Sequence, residues 1–240
     1  MVRRHIIRTV AAVCALVTLI PSAPLAGARR LPDVTTAEPA VSRDTTSATA
    51  LETVAAAAGL RSEVLDLALA AHARATAEGR TSSKLLTVID YSLLSRQRRL
   101  WVLDIERAEV LEHELVAHGR NTGDDVARAF SNRSGSNQSS LGTFVTGQTY
   151  QGKHGLSLRL HGLDEGLNDK ALARAIVIHG ADYVNEGIVG SIGRLGRSQG
   201  CPALSAVAAP RVIDLIRDGT VVFSYYPSPE LERAGAGQEA

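Results

Sequence analysis

Gly155-Leu156-Ser157-Leu158-Arg159-Leu160-His161 alternates apolar and polar side chains without a break. Successive side chains of a strand point to opposite faces. Leu156, Leu158 and Leu160 therefore share one face, and Ser157, Arg159 and His161 the other. The stretch reads as a half-buried β-strand. Outward from it, Leu85–Tyr91 and Leu100–Asp104 are further short apolar stretches bounded by turns, and Val110–Ala117 is a third candidate. Ser139–Tyr150 is strand material with bends, marked by Gly142 and Gly147 around Phe144. Ala175–Ile178, inside Arg174–His179, is apolar on both faces, which predicts a central, covered strand. Thr220–Tyr226 reads as the last strand. No internal repeat is visible.

Helices are few. Leu60, Val64, Leu67 and Ala71 fall at helical spacing, with Glu63 near the start and Gly79 as a stop. That predicts an amphipathic helix packed on the main domain. Pro210–Asp218 reads as a short helix with Pro210 at its first position, Val212, Ile213 and Ile216 on one face, and Gly219 ending it. Many short strands with few helices predict a mainly β fold, a sandwich or barrel with an N-terminal helical segment.

The N-terminus reads as an export signal. Arg3, Arg4 and Arg8 precede the apolar run Thr9–Ile20, and Ala26-Gly27-Ala28 has the small-x-small form of a cleavage site. The run is short of the ~20 apolar residues a spanning helix needs, so no stable membrane insertion is expected after cleavage. The expected organisation is a signal at 1–28, a flexible Thr/Ser/Ala/Pro-rich linker at 29–50 and a helical segment at 51–82. A catalytic domain at 83–227 and a flexible tail at 228–240 complete it. The expected location is the periplasm or cell envelope, and the expected state a monomer.

Of 240 residues, 45% are hydrophobic and the formal charge is +1, the balance of a soluble globular protein. Cleavage after Ala28 leaves 23 Lys and Arg against 25 Asp and Glu, a charge of −2. No basic stripe with interleaved aromatics occurs, which argues against nucleic acid as a partner.

Cleavage also removes Cys14 and leaves Cys201 as the one thiol. It is then buried and inert, an intermolecular linker, or reactive. A free thiol has a pKa of about 8.5 and needs a base to become a good nucleophile near neutral pH. His179, at the end of the covered strand and sharing a face with Val177, is the candidate base; the other reading is a core histidine held by backbone. Gly200 permits unusual dihedrals beside the cysteine, and Pro202 fixes the backbone after it.

His179 followed by Ser198-Gln199-Gly200-Cys201 resembles the His…Ser-x-Gly-Cys signature of the YkuD-type L,D-transpeptidase superfamily, closest to its murein L,D-transpeptidase-like branch. Six blocks carry the resemblance in order: 116–119, 130–132, 140–144, 150–155, 174–181 and 196–204. It implies a β-sandwich-like domain and a cysteine enzyme acting on peptidoglycan stem peptides, with no cofactor and no metal. The implied nucleophile is Cys201 and the implied base His179. Gly200 and Cys201 supply candidate oxyanion donors, and Ser198 and Gln199 shape the site. The family chemistry is thioester formation after the L-centre of diaminopimelate with release of D-Ala, then transfer to an amine, giving a 3→3 cross-link, or to water. Familiar relatives carry His between Ser and Gly, and Arg or Asn after Cys; here stand Gln199, Pro202 and Ala203. Gln199 cannot ionise. Carboxylate binding would pass to Arg197, Arg194 or Arg159, with His118 and His154 as further substrate-binding candidates.

Two other classes compete. His118, His154, His161 and Cys201 are zinc-type ligands, though without a close-spaced pair. A wall-binding module that keeps the fold without activity is the other.

Overall fold

A computed structural model describes residues 42–229 and 231–232. The expected signal at 1–28 lies outside the described residues, as do most of the linker and the end of the tail. Twelve elements follow one another among them. Helices α1 (Ser42–Ala57) and α2 (Ser62–Ala77) come first, then strands β1 (Leu85–Asp90), β2 (Arg98–Asp104) and β3 (Glu109–Leu115). Next are β4 (Gly142–Gly152), β5 (Gly155–Gly162), β6 (Val177–Ala181), α3 (Glu186–Ile192), β7 (Ala203–Ser205), α4 (Ala208–Ile216) and β8 (Val221–Tyr225).

The strands form one sheet in the order β3-β2-β1-β8-β4-β5-β6-β7. Most neighbours are antiparallel, but β1 pairs with β8 and β6 with β7 in parallel. The sheet curls until its edges nearly meet. Beyond β3, Ala117 exchanges two backbone hydrogen bonds with Ala203 of β7, 2.8 and 3.3 Å long. Closure of this kind removes exposed edges, and the mainly β, barrel-like expectation holds.

The alternation that marks β5 holds from Leu158 onward, with Leu158 and Leu160 buried and Arg159 and His161 only partly so. Before that, Leu156 is half-buried and Ser157, expected on the polar face, is buried beside His179. Register brings Ser157 opposite His179 and Arg159 opposite Val177. The covered strand expected at 174–179 begins three residues later, at Val177. It is flanked by β5 and β7 and covered by α4, whose Val212, Ile213 and Ile216 are buried as read. Pro210 is not the first residue of α4, which starts at Ala208; a first-turn position still needs no N–H donor.

Two N-terminal helices replace the single expected one. The first begins at Ser42, inside the stretch read as linker, and Leu51 and Ala55 enter the main core. On α2 the buried stripe is Val64, Leu65, Ala68, Ala71 and Ala75, while Leu67 is 47% exposed. Small alanines let this helix lie close on the sheet, so the stripe is read from Ala as much as from Leu. Gly79 (φ +66°) follows its C-cap, and Arg80 N–H closes back on Ala75 O at 2.8 Å, the geometry of a glycine helix stop. Arg74 bridges α2 to Asp164 and Thr143, 3.1 and 3.0 Å away. Trp101 Nε1–H donates to Ala58 O at 2.9 Å. At the other end, Leu231 is buried against the main core, inside the span read as tail. Among the described residues, no helix is long and apolar enough to cross a membrane.

Candidate active site

The loop before β7 carries Cys201. Because β6 and β7 are parallel and His179 pairs with Ala203, Cys201 stands level with Val177, at the start of β6. The loop is held from within by Ser198. Its hydroxyl accepts from Gly200 N–H (3.1 Å) and donates to Cys201 O (2.6 Å). Gly200 adopts φ +124°, open in practice to glycine alone, and its carbonyl accepts from Ser139 Oγ at 3.0 Å. From behind, Ser198 pairs with the 118–120 segment: its N–H donates to His118 O (3.0 Å), and its carbonyl accepts from Arg120 N–H (2.8 Å). The Val116–Gly119 block therefore backs the cysteine loop through isolated bridges, Gly119 beside Ser198 and Ala117 beside Ala203.

His179 projects from β6 and is 4% exposed. Its Nδ1 lies 2.8 Å from Gly180 O. A carbonyl can only accept, so in the neutral ring Nδ1 carries the proton and Nε2 is the basic atom. Nε2 has no hydrogen-bond partner among the described residues. The ring of His154, from the β4–β5 turn, stacks on it with centroids 4.5 Å apart.

Cys201 and His179 line one cleft of about 600 Å³, together with Tyr150, Lys153, His154, Ser157, Arg174, Val177, Tyr183, Arg197, Ser198 and Gln199. Burial pushes the thiol above its ordinary value; N–H groups of Val177 and Cys201, with the charges of Arg174 and Lys153, pull it back. Burial likewise lowers His179, opposed by the Gly180 carbonyl and reinforced by His154 and Lys153. At rest, both shifts favour a neutral thiol beside a neutral imidazole. The thiol donates to Ala175 O at 3.7 Å, not to His179. A site of this composition suits attack on a carbonyl once the imidazole takes the thiol proton.

The other expected residues divide. Gly200 N–H, an oxyanion candidate by sequence, is occupied by Ser198 Oγ. Among the described residues, Gln199 N–H has no hydrogen-bond partner and Cys201 N–H faces its own thiol; these are the donors left for an oxyanion. The Gln199 side chain is exposed at the cleft. Arg197 reaches the rim, paired with Asp124 at 2.7 Å, and Arg194 lies 3.8 Å from the same carboxylate. Arg159 lies over the Tyr150 ring, 4.6 Å from its centroid, and faces a different groove with His161. His118 is not in the cleft. It is buried, its Nδ1 accepting from Arg99 Nη2 at 2.9 Å and its Nε2 donating to Gly123 O at 3.2 Å. Arg174, Tyr183 and Lys153 line the cleft without having been singled out. Two signals in the sequence point at Arg174: its place at the head of an apolar stretch and its place at the start of the 174–181 block. Among the described residues, no three His, Cys, Asp or Glu side chains converge as metal ligands.

A family model of the L,D-transpeptidase catalytic domain matches residues 56–225. No curated protein matches the chain. Similar solved structures include an L,D-transpeptidase from Mycobacterium smegmatis (16% identity, 60% of this chain and 59% of that one, TM-score 0.38). Others are L,D-transpeptidase 1 of Mycobacterium tuberculosis (13%, 60% and 62%, TM-score 0.34) and an L,D-transpeptidase from Xylanimonas cellulosilytica (20%, 64% and 68%, TM-score 0.34). The chain spans about three fifths of the length of the two mycobacterial proteins.

Proposed function

The chain belongs to the L,D-transpeptidase catalytic-domain family, and we propose that it is an exported peptidoglycan L,D-transpeptidase with Cys201 as nucleophile and His179 as base. One observation carries this reading. Cys201 on the loop before β7 and His179 on β6 line the same cleft, and the imidazole presents an unbonded Nε2 there. Export rests on the pattern at residues 1–28.

In the proposed reaction, His179 Nε2 takes the Cys201 proton and the sulfur attacks the carbonyl at the L-centre of diaminopimelate in a stem tetrapeptide. The oxyanion is met by the N–H groups of Cys201 and Gln199. Collapse breaks the amide bond, the proton on His179 goes to the departing D-Ala amine, and a thioester remains. An amine of a second stem attacks the thioester, loses its proton to His179 and regenerates the thiol. A neighbouring cleft of about 460 Å³, bounded by Lys153, His154 and Tyr183 and reaching Asp182 and Pro210, supports a second peptide over water as acceptor.

Intact-protein mass spectrometry with a tetrapeptide donor and with a carbapenem tests the proposal. The wild type is expected to gain the acyl mass and Cys201→Ala to gain none. A folded wild type that gains no mass from either compound would sink it. Products from purified muropeptides distinguish cross-linking from L,D-carboxypeptidase action.

A further inference from the structure

The cleft holds a guanidinium with no carboxylate beside it. Arg174 Nη1 donates to Ser131 O (2.7 Å) and to Ser140 Oγ, and Nη2 donates to Ser136 Oγ (3.2 Å) and Gln138 O (2.6 Å). All four acceptors are uncharged, and no ion pair of Arg174 occurs among the described residues. With both terminal nitrogens occupied, the group has only Nε–H to offer and cannot grip a substrate carboxylate in the bidentate way. Its charge is nonetheless fixed in place. Nη2 lies 3.5 Å from where a β-carbon on Gly200 would stand, on the residue before Cys201.

We propose that Arg174 is a positioning residue whose fixed positive charge holds Cys201 closer to its thiolate form than the buried site would otherwise allow. The proposal rests on Cys201 being the nucleophile. Of the cations facing the thiol, Arg174 acts ahead of Lys153. Tyr91 and Tyr183 are pushed up to about 12 by burial and remain neutral. His179 is buried and held below its ordinary range, and His154 stacks on it. Arg197 is paired with Asp124, and Lys153 is an exposed side chain of the β4–β5 turn. Arg174 is the cation that both approaches the cysteine loop and is immobilised. Its own pKa is lowered by burial and raised by Cys201.

The test is the pH dependence of Cys201 alkylation by iodoacetamide, which needs no peptidoglycan substrate. In Arg174→Gln the alkylation midpoint is expected to rise by about one pH unit, the lower end of what a nearby opposite charge does. Arg174→Lys, which keeps the charge, is expected to stay near the wild type. Circular dichroism reports folding in each case. An unmoved midpoint in folded Arg174→Gln overturns the proposal. So does Arg174→Lys displaced upward by a unit or more, because hydrogen bonding and not charge would then govern the thiol; that arm stands alone if Arg174→Gln does not fold. A chain that shows the shift but never acylates with a tetrapeptide or a carbapenem removes the transpeptidase reading and keeps this one.

Discussion

His154 stacks on His179 with the ring planes 24° apart and the centroids separated by 4.5 Å. One ring comes from the turn between β4 and β5 and the other from β6, so the hairpin tip presses on the candidate base. A second contact, Nδ1 to Gly180 O, fixes the rotation of the His179 ring. The base is thereby held by one polar and one stacking contact, with Nε2 left for chemistry.

Removing that base has a defined consequence. His179→Ala is expected to slow acylation of Cys201 by about 10²-fold or more, the scale of a general-base contribution. His154→Ala is expected to lose less, and to move the acid limb of the rate profile. His154 lowers the His179 pKa, so without it the limb shifts to higher pH. In the wild type the limb lies below pH 6.5, and the rate keeps rising above neutrality as the raised thiol ionises. Acylation rates by mass spectrometry across pH measure both effects. An unchanged rate in His179→Ala means that another group takes the proton.

The cysteine loop depends on one backbone conformation. At φ +124°, a β-carbon on Gly200 would lie 2.9 Å from Gln138 O, closer than β-carbons come to other atoms. Gly200→Ala is expected to lose roughly 1–3 kcal/mol, the cost of a strained backbone at a functional site. It also separates Cys201 from its Ser198 clamp. Urea unfolding and acylation should fall together; a variant as stable and as fast as the wild type would show that the loop adapts.

Acid should unfold this chain through its buried histidines. His118 is held at about 4 against an ordinary 6.5, first by burial and then by the charge of Arg99. Its Nδ1 faces the Arg99 guanidinium and cannot be protonated without opposing that donor. The folded pKa is below the unfolded one, so the unfolded chain binds the extra proton. Stability is therefore full above pH 6.5 and falls as the pH drops from 6.5 towards 4, by ~3 kcal/mol from this residue. His72, also lowered chiefly by burial, adds in the same direction. Urea titrations at pH 7 and pH 4.5 measure the loss, and His118→Gln is expected to flatten it. A slope equal to that of the wild type would reject His118 as a cause.

Local pattern determined the strands. Alternation in Gly155–His161 predicts β5 because a strand's side chains are sorted by period two wherever one face is buried. A second signal, short apolar runs bounded by turns, places β1 and β2, which with β8 are buried on both faces. Strand β7 was not legible: three residues after a proline carry no period, and Ala203–Ser205 is a strand because it lies beside β6 and meets Ala117. Helix α3 was hidden by Gly187 and Gly190, and is started by Asn185, whose side chain accepts from Ile188 N–H at 2.8 Å.

For the candidate site, the sequence by itself pointed to the pair Cys201 and His179, and its motif to the family whose model matches residues 56–225. The surroundings of that pair were decided by tertiary structure. Among the arginines, Arg197 and Arg159 read as well as Arg174 in a linear chain. Only the fold pairs the first with Asp124, lays the second on Tyr150 and pins the third beside Gly200. His118 reads as well as His154, yet the curl of the sheet buries one against Arg99 and brings the other over His179. Periodicity reports which face of an element is buried. It carries no information about which charged side chains a closing sheet brings together, because those distances are set by register and loop packing between residues far apart in the chain.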